Sequence, residues 1–174
     1  MSAPHRVGEL EIDQDLARER RGWRIERGGW LVMLGAVLAA LLGAFGRGPL
    51  SHAAVGGDAG LRLEYERVAR ARAPTTLRMH VSQATLDGGA LHGDTLVVWL
   101  DRTYVEHAEV VRMVPAPDRV TASEDRVLYR VGVTPGGRGA TVTFDLEPER
   151  FGRITGRAGL VGGPSHEFRQ FIYP

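Results

Sequence analysis

The sequence predicts a mainly β protein in which one N-terminal transmembrane helix precedes an antiparallel β-sandwich of about eight strands. Three observations carry this prediction. Residues 28–46 hold no charged side chain. Beyond residue 60, short alternations of apolar and polar residues recur between Gly, Pro and Asp, the pattern of half-buried strands joined by turns. A length of 174 residues leaves room for one ordinary domain and an appendage. The expected organisation is an arm over 1–28, a membrane helix over 29–46, a flexible linker over 47–60 and the sandwich over 61–174.

The arm has too few large apolar residues to bury a core; Leu10, Ile12 and Leu16 stand among mixed charges. It reads as a disordered tail with arginines beside the membrane. The alternative is that residues 13–27 prolong the helix, against the helix-weakening Gly22, Gly28 and Gly29.

The uncharged run of nineteen residues would span roughly 28 Å at about 1.5 Å per residue, close to a hydrocarbon core of about 30 Å. A helix in a soluble core would carry polar residues on its outer face, and this one carries none. Trp30 and Phe45 stand at its two ends, where aromatic rings favour the interface. Arg18, Arg20, Arg21, Arg24 and Arg27 precede the run, whereas Arg47 and Arg62 follow it, so the N-terminus is expected in the cytoplasm. In a bacterium the chain would sit in the inner (cytoplasmic) membrane, with its C-terminal domain periplasmic or extracellular. The rival reading is a signal peptide. Ser51-His52-Ala53 resembles a cleavage site, and residues 1–53 would then be lost. Against it, the segment before the run is long and carries six acidic groups.

Gly35, Ala39 and Gly43 fall on one stripe of the helix. Small residues at this spacing let backbones approach in lipid, so the stripe is a candidate helix-association face.

The strands follow in order. Leu61, Leu63 and Tyr65 alternate with Arg62, Glu64 and Glu66, and Leu77, Met79 and Val81 with Arg78 and His80. Residues 96–100 are continuously apolar and read as a central strand carrying Trp99 in the core. Residues 110–114 stop at Pro115 and Pro117, which a central strand rejects. Val127, Tyr129, Val131 and Val133 face a partner at Val142, Phe144 and Leu146, with residues 135–139 read as a hairpin connection. Residues 154–161 and 168–173 supply the last two strands. Helical turns are alternatives over 64–73 and 103–108. The stretch from Val142 to Pro148, followed by Gly152 and another strand, resembles the late strands of immunoglobulin-like domains. This likeness covers about forty residues and implies architecture alone, since the cysteine pattern of antibody-type domains is missing.

Chemistry is harder to find. The absence of cysteine excludes disulfides and thiolates, and the absence of lysine excludes Schiff-base and P-loop lysine chemistry. Twenty-two basic against 21 acidic residues argues against nucleic acid as a partner. The histidines show no metal-ligand spacing, so neither a metal nor another cofactor is expected. No serine stands in a Gly-x-Ser-x-Gly elbow, so catalytic residues are not assigned. The cluster Tyr104, Glu106, His107 and Glu109 is the one place where an imidazole meets carboxylates in a base–orienter arrangement. Arg62, Arg67, Arg70, Arg72 and Arg78 crowd just beyond the membrane and are candidate contacts for a partner or anionic lipid.

The expected function is therefore non-enzymatic: an anchored interaction or accessory subunit of a membrane protein complex. Its partners would be the bilayer and a membrane protein or a second copy. The alternative is an exported small-ligand binder or enzyme using a sandwich pocket.

Overall fold

The computed structural model describes residues 16–41, 51–57, 60–133 and 139–174. The chain divides into two units, Met1–Ala39 and Ala40–Pro174, each taken by itself below.

Helix α1 (Leu16–Leu41) makes up the described part of the first unit and ends two residues past its boundary. Its first half is crowded with arginine and glutamate, and its second half is uncharged from Gly28 onward. Arg27 lies over the Trp23 ring at 4.0 Å, a contact one helical turn apart. Trp30, Leu31, Val32, Met33, Leu34 and Val37 are all exposed, so apolar side chains cover more than one face of the helix. The expectation of a disordered tail is corrected over residues 16–28, which are helical. Long-chain residues of good helix propensity outweigh the glycines there. Among the described residues no helix is long and apolar enough to cross a membrane. Residues 42–46 of the uncharged run lie outside the described residues, and so does Gly43 of the small-residue stripe.

Among the described residues twelve strands follow: β1 (His52–Gly56), β2 (Leu61–Glu66), β3 (Val68–Arg70), β4 (Thr75–Val81), β5 (Leu91–His92), β6 (Thr95–Asp101), β7 (Ala108–Val114), β8 (Arg119–Ala122), β9 (Arg126–Gly132), β10 (Ala140–Pro148), β11 (Gly152–Leu160) and β12 (Ser165–Tyr173). They make two sheets. The first runs β1-β2-β4-β10-β7; the second runs β3-β12-β11-β6-β9-β8, with β5 hairpinned onto β6. All the pairs are antiparallel except β12 with β3. Short helical turns, α2 (Gln83–Thr85) and α3 (Arg102–Val105), lie between strands. Ser82 caps α2 by accepting the Thr85 N–H.

Alternation fixes which face each strand buries. Leu61 and Leu63 on β2, and Leu77 and Met79 on β4, point from the first sheet into the core. Leu96, Val98 and Leu100 on β6, with Phe168 and Ile172 on β12, meet them from the second. Full burial of each such side chain contributes about 1.5–3 kcal/mol. Trp99 points the other way. It is nevertheless covered, because Arg126 lies 4.8 Å over its ring and its Nε1 donates to the Leu160 carbonyl at 3.2 Å.

Several expectations need correction. Among the described residues twelve strands replace about eight, since β3, β5 and β8 are two to four residues long and too short to show a period. Residues 52–56, expected within the linker, form β1, which pairs with β2 across His52↔Glu66 to Gly56↔Arg62. Residues 64–73 are strand and turn rather than helix, because Tyr65 and Ala69 must face the core. Strands β9 and β10 lie in opposite sheets, so their connection crosses the sandwich and is no hairpin. They do face each other: the Tyr129 and Phe144 rings meet edge-on at 5.2 Å. Residues 134–138 of that connection lie outside the described residues.

Candidate functional site

Strand β7 ends the first sheet and β8 ends the second, and the segment 115–118 joins them. Two strand edges therefore border one groove, of about 660 Å³. An edge strand carries unpaired N–H and C=O groups that can take up another strand. Pro115 and Pro117 explain why pairing stops here, since proline has no N–H to give a neighbour. A register shift between Asp145 and Leu146, opposite Val111, bends β7 at its middle.

The groove floor is the margin of the core. Val120 is opposite Tyr129 in the β8–β9 register and so belongs to the inward face. Tyr129 is 5% exposed, but Val120 is 52% exposed and opens onto the groove that it shares with Val110 and Met113 of the first sheet. Met113, Val110 and Val127 complete the apolar lining. Val111, on the β7 edge, is also exposed. Burial in this setting pushes the Tyr129 phenol up to about 12, by penalising its charged form.

The rim is acidic. Glu106, Glu109 and Glu149 line it, and the Arg112 guanidinium there is engaged by Asp145 at 2.8 Å. Glu106 also takes a hydrogen bond from Arg102 at 3.0 Å.

The cluster around His107 is dispersed. Tyr104 is buried, and its hydroxyl donates to Gln170 Oε1 at 2.6 Å. Arg150 Nη1 donates to His107 Nε2 at 2.7 Å; a guanidinium has no acceptor, so that ring nitrogen must accept. The proton then sits on Nδ1, which donates to the Thr103 carbonyl at 2.5 Å. His107 does not line the groove, whereas Glu106 and Glu109 do. Among the described residues no three His, Asp or Glu side chains are placed to hold a metal ion.

The five arginines part company. Arg62 and Arg78 lie on the outer face of the first sheet, beside Glu64 and His80. Arg67, Arg70 and Arg72 lie at the β3 end of the second sheet. Of the helix stripe, Gly35 lies in α1 with nothing within 4 Å of a Cβ built on it.

Val111, Val120 and Tyr129 are groove residues that the sequence does not single out. Nothing local marks them, because each looks like an ordinary strand residue until the edges of two sheets are known. The prolines at 115 and 117 were the available signal.

No family model matches the chain, and no curated protein matches it. Among solved structures it is similar to a cohesin module from Clostridium perfringens ATCC13124 family 33 glycoside hydrolase. The identity is 8% and the TM-score 0.42, over 65% of this chain and 95% of that one.

Proposed function

We propose that the chain is a single-pass membrane protein whose extracytoplasmic part, an immunoglobulin-like β-sandwich, is a non-enzymatic interaction or accessory subunit. Its docking element is the groove between β7 and β8. The observation that carries this reading is Val120, an inward-facing core residue left half uncovered between two strand edges. An extended segment of a membrane-protein partner, or of a second copy, adds main-chain hydrogen bonds along an edge and seats apolar side chains over Val120 and Met113. The rim glutamates select a segment flanked by basic residues. Support for the anchor comes from the uncharged run and the exposed apolar surface of α1.

Purification of the full chain in mild detergent tests this reading. A stoichiometric partner or homo-oligomer is expected with the wild type and should be lost with Val120→Asp. A monomeric, partner-free wild type would contradict it.

A further inference from the structure

The end of the sandwich at which Ser51 and Arg67 meet carries its own surface. Ser51 directly precedes β1, and its carbonyl accepts the Arg67 N–H. The Arg67 carbonyl in turn accepts the Phe171 N–H at 2.7 Å. Phe171 lies on the outer face of β12, opposite Arg153 on β11 and beside Val68 on β3. It is 53% exposed. Phe151, immediately before β11, is 75% exposed and shares a concavity with Arg70, Arg72 and Glu149. Two bare phenyl rings thus stand among Arg67, Arg70, Arg72 and Arg153. None of these arginines has a carboxylate within 4.0 Å among the described residues, and Glu149 is the one acidic side chain lining the concavity.

Arg72 adds a second sign. Its φ is +56°, a backbone region that strains an L side chain and that glycine adopts freely. An arginine is held at this turn although glycine would fit better. Exposed aromatic rings suit the headgroup boundary of a bilayer, and arginines suit its anionic lipids. An acidic protein would satisfy the charges but would not by itself call for two uncovered rings.

We infer that Phe151, Phe171 and the arginines at 67, 70, 72 and 153 dock the sandwich onto an anionic lipid surface. The inference rests on the anchored reading, which supplies the membrane that the patch would meet.

The chain has no cysteine, so one introduced cysteine can carry a unique nitroxide label. Thr155→Cys reports from the same outer face as Arg153, and Thr141→Cys reports from the outer face of the first sheet. The labelled full chain is placed in nanodiscs of phosphatidylcholine alone or mixed with phosphatidylglycerol. Docking predicts that label 155, and not label 141, becomes exposed to lipid-dissolved oxygen in the anionic discs and loses that exposure at high salt. Each Arg→Gln change at 70, 72 or 153 should weaken the docked state by about fivefold. Arg72→Gly should weaken it equally while relieving backbone strain, which separates docking from misfolding. Equal water exposure of both labels in anionic discs would overturn the inference. Failure to remain in zwitterionic discs would instead overturn the anchor. Docking is then read by sedimenting the same chain with phosphatidylglycerol vesicles: binding lost in the Arg70, Arg72 and Arg153 triple variant supports it, and no binding overturns it.

Discussion

The hydroxyl of Tyr104 donates to Oε1 of Gln170 at 2.6 Å, in the interior of the sandwich. Gln170 passes the connection on, donating from Nε2 to the Glu66 carbonyl at 2.8 Å. One chain of hydrogen bonds therefore ties α3 to β12 and β2. Tyr104→Phe keeps the ring packing and strips the donor from a buried acceptor, so it should cost about 1–3 kcal/mol. Urea unfolding would show this as a lower midpoint with an unchanged slope.

Gly156 provides the space for that tyrosine. A Cβ at this position would lie 2.7 Å from the Tyr104 ring and 2.9 Å from Phe168 Cζ, closer than carbon atoms approach. The two rings are themselves packed edge-on at 4.8 Å and cannot both retreat. Gly156→Ala should destabilise by about 1–3 kcal/mol through overpacking, read as a fall in the thermal midpoint. An unchanged midpoint would mean that this corner is looser than described.

How much of this was legible beforehand depends on range. Leu61, Leu63, Leu77 and Met79 declare their buried face through period-two alternation, and the uninterrupted apolar run at 96–100 marked β6 as central. The pairing of β9 with β8 rather than β10 was not legible, because sheet membership is decided by distant partners and both strands carry the same pattern. Strand β8 shows no alternation of burial at all, since it overhangs the core and each of its residues is exposed. The groove depends on that overhang and was hidden with it. The basic cluster was visible as composition, but its separation into two surfaces required the fold.

Alkaline pH should weaken the fold. Burial raises Tyr104 well above the ordinary tyrosine value, and raises Tyr129 to about 12. Above pH 10 the unfolded chain releases these protons while the folded chain retains them, so the unfolded state binds fewer protons and stability falls as pH rises. The contribution is fully present below about pH 10 and, for Tyr129, is lost progressively up to about pH 12. Denaturation midpoints measured across that window should decline for the wild type and decline less for Tyr104→Phe.

Membrane attachment has its own readout. The full chain should remain in the membrane pellet after alkaline carbonate, with its mass intact. Recovery in the supernatant, or loss of residues 1–53 from the mature protein, would favour the exported alternative.

The groove itself is tested most directly by a photo-crosslinking residue placed at Val120 in the full chain, irradiated in native membranes. The account predicts one discrete covalent adduct, of a single partner or of the chain with itself, which disappears when Val111 is also changed to Arg. Irradiation that returns only the uncrosslinked monomer would contradict the claim that these two strand edges are an interaction site.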